Sequence, residues 1–134
     1  MAELWATSAT PTPLDATEPE PTAAPPVVPP PAGGHLIRLF EMQPGWCSPM
    51  HRTESLDYGV ILSGEAYMVL DDGCEVTLGP GDVVVQRGTD HAWGNRSDEP
   101  VVMLFVLVDG AFSDDLRGRI GGAVDHLMVE PPSA

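Results

Sequence analysis

From His35 to Val108 the chain is a succession of short runs rich in Val, Ile, Leu, Phe and Tyr. Each is cut off by turn residues before it is long enough to make a helix of ordinary length. The runs are His35 to Met42, His51 to Thr53, Leu56 to Ser63, Glu65 to Leu70, Glu75 to Leu78, Val83 to Gln86, His91 to Arg96 and Val101 to Val108. Between them stand Pro44-Gly45, Gly64, Asp72-Gly73, Pro80-Gly81-Asp82, Gly88 and Ser97-Asp98-Glu99-Pro100. Punctuation of this kind predicts an all-β fold, a sandwich or a closed antiparallel barrel. The run Val101 to Val108 is apolar on both faces, as a strand sandwiched between sheets would be.

Outside this region the composition changes. Residues 1–34 are rich in Pro, Thr and Ala, and Ala24 to Pro31 can only be extended. We expect an extended, partly disordered arm, except that Glu3 to Thr7 has the pattern of a strand. Trp5, costly to leave in water, would pack on the barrel or on a second subunit. After the barrel, residues 35–112, the segment 113–134 is expected to form a short helix and a tail. Ser113 is the N-cap candidate, Leu116, Ile120 and Val124 fall at helical spacing, and three glycines weaken the helix.

The charge balance excludes several functions. The net charge of the 134 residues is -14, and all six basic residues are arginine. No basic surface for nucleic acid or for an anionic membrane can be assembled from them. Without lysine, Schiff-base chemistry and covalent attachment of pyridoxal phosphate are also excluded. No apolar run is long enough to cross a membrane as a helix. Cys47 and Cys74 lack metal-finger spacing, and reduced thiols in the cytoplasm are the expectation.

Chemistry concentrates at two histidines. Strand alternation puts His51 and Thr53 on one face, with Asp57 at the entrance of the next strand, and puts His91, Trp93 and Asn95 on another shared face. An isolated histidine on a strand is usually a packed or surface residue, which is the reading for His35 and His126. Asn95 is expected to fix a turn through backbone bonds.

The two histidine segments resemble the paired motifs of the cupin superfamily, Gly-(x5)-His-x-His-(x3,4)-Glu-(x6)-Gly and Gly-(x5)-Pro-x-Gly-(x2)-His-(x3)-Asn. Gly45, His51, Asp57 and Gly64 match the first. Gly81, Gly88, His91 and Asn95 match the second, with one residue fewer between the two glycines. The segments Leu56-Asp57-Tyr58 and Val84-Val85-Gln86-Arg87-Gly88-Thr89 are similar to those of small single-domain cupins. The resemblance implies a double-stranded β-helix, or jelly roll, around a small-molecule site, and a homodimer formed through the outer sheet. It implies a metal held by motif residues, but Thr53 replaces the second histidine and Asp57 the glutamate. If Asp57 reaches the ion, His51, Asp57 and His91 make a two-histidine, one-carboxylate set for iron, zinc, manganese or nickel. Otherwise the site is metal-free, and His51, His91 and Tyr58 are the candidate proton carriers.

Met50, Gln86, Arg87, Trp93, Met103 and Phe105 are the candidate substrate-binding wall, and Arg52 is a second candidate for clamping a carboxylate. The leading expectation is a cupin enzyme of lyase or isomerase type, carrying out dehydration, decarboxylation or cyclisation of a small organic molecule. An iron-dependent dioxygenase and a non-catalytic binding protein are the alternatives.

Overall fold

Alternation along the strands decides which side chains meet inside. The computed structural model describes residues 1–14 and 29–120 of the chain. In chain order it has β1 (Ala2–Thr7), β2 (His35–Met42), β3 (Ser55–Ser63), β4 (Ala66–Leu70), β5 (Glu75–Leu78), β6 (Val83–Arg87), β7 (His91–Gly94), β8 (Val101–Asp109) and α1 (Asp114–Ile120). The strands form a five-stranded sheet, β1-β2-β8-β3-β6, and a three-stranded sheet, β5-β4-β7, with antiparallel pairing throughout. The core lies between them: Met42, Ile61, Val101 and Met103 come from the larger sheet, and Ala66, Met68, Leu78 and Trp93 from the smaller. Burial of these apolar side chains supplies the main driving force for closing one sheet on the other.

The sheets depart from the sequence-based expectation in three places. His51 to Thr53 is not a strand; His51 makes only an isolated bridge to His91. The strand at His91 stops at Gly94, because Asn95 turns its side chain to the backbone. Its amide donates to the carbonyls of Met42 and Glu99, and its oxygen accepts from Ser97. The third is β8, which is central in the large sheet but is not sandwiched. Val101, Met103 and Leu107 are buried inward, whereas Val102, Leu104, Val106 and Val108 are half-buried on the outer face.

The expected N-terminal strand is present as β1 at the edge of the large sheet. Its inner side supplies Glu3, registered against Arg38, while Trp5 on the outer side remains 41% exposed. Helix α1 begins as expected, with the Ser113 hydroxyl accepting from the Leu116 amide as an N-cap does. Val124, His126 and most of the proline-rich run lie outside the described residues. Both cysteines are free and exposed. Among the described residues, no helix is long and apolar enough to cross a membrane.

Candidate functional site

Two turns deliver the histidines to one place. The backbones of His51 and His91 exchange both N–H···O bonds, each 2.9 Å. The two rings therefore stand side by side, with centroids 4.2 Å apart and planes inclined by 54°. In each ring Nδ1 meets a carbonyl of the preceding turn at 2.9 Å, Pro49 for His51 and Thr89 for His91. A neutral imidazole donates from Nδ1 in such a contact, and this leaves Nε2 as a lone pair. His91 is only 3% exposed. Burial first, and then the neighbouring His51, lower its pKa to about 4, against the opposing pull of the Thr89 carbonyl and Asp90. His91 is thus a neutral imidazole at physiological pH.

The surroundings hold this pair in place. Trp93 meets His91 edge-on at 6.3 Å, and Phe105 meets Trp93 in the same manner at 5.8 Å. Arg52 and Asp90, each next to a histidine, join through two bonds of 2.8 Å. The guanidinium of Arg52 also lies 5.9 Å from the centre of the Phe112 ring. Arg52 is therefore committed to Asp90 rather than available as a carboxylate clamp.

Asp57 corrects the expected ligand set. It points inward and is 6% exposed, but its carboxylate accepts from the Ser55 hydroxyl at 2.5 Å and feels the charge of Arg38. Burial raises its pKa to about 6, against the bond from Ser55 and the charge of Arg38. Among the described residues no three His, Cys, Asp or Glu side chains converge. The set His51, Asp57 and His91 is therefore not assembled, and the Asp57 carboxylate is engaged by Ser55 instead. Among the described residues, the donors that a divalent ion would find at this place are the two imidazole Nε2 atoms. Both rings have the Nδ1-to-carbonyl bond that orients metal-binding histidines.

The remaining candidates divide by face. Gln86 and Trp93 point inward and are buried; Met103 belongs to the packed core, and half-buried Phe105 packs against it. Tyr58 alternates to the outer face between buried Asp57 and Gly59, and is 41% exposed. A residue on that face does not reach a ligand inside the barrel, so Tyr58 is not an interior proton carrier. Arg87, exposed beside inward-facing Gln86, is outside for the same reason. Met50 is exposed on the turn before His51. Sequence reasoning missed the one arginine inside the barrel, Arg38. It is 3% exposed and pairs with Glu3 at 3.1 Å. Its alternation with inward Leu36 and Met42 is a signal, but apolar Ile37 and Leu39 on the opposite face obscure it.

The Cupin domain family matches residues 38–107, more than half of the chain. The chain belongs to the cupin family. The cupin shares 45% identity over 102 residues with phomopsin biosynthesis cluster protein C' of Diaporthe leptostromiformis, covering 75% of this chain and 53% of that one. With the cupin-domain-containing oxidoreductase fogC of Aspergillus ruber it shares 49% over 79 residues, covering 57% and 39%. This cupin therefore spans about half or less of the length of these relatives. Among solved structures, a Cupin 2 conserved barrel domain protein from Salinispora arenicola superposes with a TM-score of 0.52 at 28% identity, over 63% of this chain and 71% of that one. The fold is the cupin double-stranded β-helix.

Proposed function

We propose that this cupin binds a small organic molecule inside the barrel and moves a proton on it, in lyase or isomerase chemistry. The observation that supports this reading is the side-by-side pair His51 and His91, with both Nδ1 atoms held and both Nε2 atoms left as acceptors. His91, buried and neutral, accepts a hydrogen bond from a substrate hydroxyl and fixes the reacting group. The half-buried ring of His51 takes the proton at Nε2 and exchanges it with solvent. Return of that proton to a departing hydroxyl eliminates water; return to a different carbon isomerises the substrate. Neither outcome needs an oxidant.

A second reading has a specific observation behind it. The same two Nε2 atoms are the donors a divalent ion would use, and relatives named as cupin-domain-containing oxidoreductases agree with such a centre. An ion bound there would supply Lewis-acid polarisation or redox chemistry. His51 and His91 would be its protein ligands, and Asp57 would stay with Ser55.

Small-molecule pathways are the setting that the biosynthesis-cluster relatives suggest. The proposed homodimer would use the outer face of the large sheet, where Trp5, Ile37, Val106, Tyr58 and Val85 follow one another across the strands. Solution scattering giving a monomer mass would refute it. Two free cysteines suit the reducing conditions of the cytoplasm.

Elemental analysis of the purified protein, beside His51→Ala and His91→Ala, tests the reading. Substoichiometric metal that is unchanged in the variants, with none taken up on titration, supports proton transfer. Near-stoichiometric metal lost in either variant replaces it with the metal-centred reading. Ligand affinity that is unchanged in both variants, with no turnover by the parent, would leave a binding protein without histidine chemistry.

A further inference from the structure

Gln86 is a polar side chain placed where the fold does not need one. It points into the barrel from β6 and is 5% exposed. Its amide nitrogen reaches the Thr89 hydroxyl at 3.5 Å and the Met68 sulfur at 3.9 Å. Its carbonyl oxygen is buried and, among the described residues, has no hydrogen-bond partner. An orphaned acceptor of this kind costs folding free energy, because it has given up water and gained nothing.

The neighbours explain what is missing. Asp57 is the cross-strand partner of Gln86, and both side chains are buried. Thr89 links the group to the histidines, since its carbonyl holds Nδ1 of His91 while its hydroxyl meets the Gln86 amide. The wall around it is apolar, with Met68 beside the amide and Trp93 stacked edge-on between His91 and Phe105. A ligand carboxylate would bring an acceptor to this acceptor. A hydroxyl on an apolar or aromatic body supplies the missing donor and leaves the rest of the ligand against Met68, Trp93 and Phe105.

We propose that the Gln86 carbonyl is the ligand-recognition acceptor of this barrel, and that it selects molecules presenting a hydroxyl on a ring. The inference rests on the small-molecule reading above but not on proton transfer by the histidines. Discrimination against a ligand lacking the hydroxyl follows from the same cost: such a ligand leaves the acceptor buried and unpaired.

The test uses the whole chain with two probes of equal shape class, phenol and its methyl ether anisole. Binding is read by saturation-transfer NMR and by titration. Phenol is expected to bind about tenfold more tightly than anisole, and Gln86→Met to abolish the difference. In the absence of probe, Gln86→Met is expected to raise the urea midpoint, because a flexible apolar side chain replaces an orphaned amide. Equal binding of the two probes, or no phenol binding at millimolar concentration, overturns the proposal on the wild-type protein alone. A lowered urea midpoint in Gln86→Met overturns it too, since Gln86 would then serve the fold. Phenol selectivity retained in His51→Ala, whatever that variant does to turnover or metal content, separates this inference from the histidine chemistry.

Discussion

The ring of Phe112 occupies the space that a β-carbon on Gly88 would need. A Cβ built at Gly88 falls 2.5 Å from Phe112 Cε1, and the residue has φ +62°, a region costly for other L residues. The contact matters because Gly88 opens the turn that carries Thr89, Asp90 and His91. Phe112 itself is tied to the other histidine's segment, its amide donating to Glu54 at 2.8 Å.

Gly88→Ala is therefore expected to destabilise the barrel by about 2 kcal/mol, through backbone strain plus displacement of the ring. Phe112→Ala removes the steric part but not the strain. The double variant is expected to be more stable than the sum of the single changes by roughly 1 kcal/mol in urea unfolding. Strict additivity would show that the ring and the turn are independent.

In the acid response of the fold, the contributions of Asp57 and His91 are expected to oppose each other. Burial raises Asp57 from 3.8 to about 6. Between those values the folded chain keeps a proton the unfolded chain has lost, so this contribution falls as pH rises. Above pH 6 the ionised carboxylate costs about 3 kcal/mol, one pKa unit being about 1.4 kcal/mol. His91 runs the other way. Lowered from 6.5 to about 4, it contributes stability that is present above 6.5 and lost as pH falls through 4. Between about pH 4 and 6 the two slopes cancel. Asp57→Asn leaves only the histidine slope, so stability should fall by about 1.4 kcal/mol per pH unit on acidification through that window. At pH 7.5 the variant should be more stable than the parent, by up to about 3 kcal/mol. Urea midpoints at pH 4.5 and 7.5 decide it; parallel profiles for the two proteins would refute the assignment.

Much of this architecture was legible because turns in the sequence are chemical. Pro44-Gly45, Asp72-Gly73 and Pro80-Gly81 mark real chain reversals, and the intervals around His51 and His91 bring the two rings together. Asp57 was misplaced for a geometric reason. Spacing puts it on the inner face but does not say that the Ser55 hydroxyl, two residues earlier, engages its carboxylate there. Tyr58 and Arg87 fall outside because each neighbours a residue that alternation sends inward, Asp57 and Gln86. Arg38 stayed hidden because β2 is apolar on both faces, so its pattern does not say which side is the core. Its partner Glu3 is contributed by a strand remote in sequence.

That partnership makes β1 a structural part of the barrel. Burial pulls the Arg38 guanidinium down from its ordinary value, while Glu3 first and then Asp57 support its charge. The Arg38 and Glu3 side chains are 4% and 8% exposed, so water screens the pair little. Glu3→Gln should then cost about 3 kcal/mol, the usual loss when one partner of a buried ion pair is removed. An unchanged urea midpoint would mean that β1 does not hold its place on the sheet edge in solution.

Arg52 and Asp90 stitch the His51 segment to the His91 segment, and the geometry of the stitch identifies the substitution that should break it. Two parallel bonds of 2.8 Å use the fork of the guanidinium, and a lysine ammonium cannot reproduce them. The side chains are 13% and 30% exposed, so the pair is partly open to solvent and its worth is modest. Arg52→Lys is expected to cost about 1 kcal/mol despite keeping the charge. Arg52→Met should cost no less, since it also strands the Asp90 carboxylate beside the two histidines. The gap between parent and Arg52→Lys should persist at high salt, because it arises from bond geometry, whereas a purely Coulombic pair would be screened within about 3 Å at 1 M ionic strength. Urea titrations of the three proteins at low and high sodium chloride read this directly. A lysine variant as stable as the parent would show that charge alone, and not the bidentate contact, joins the two segments.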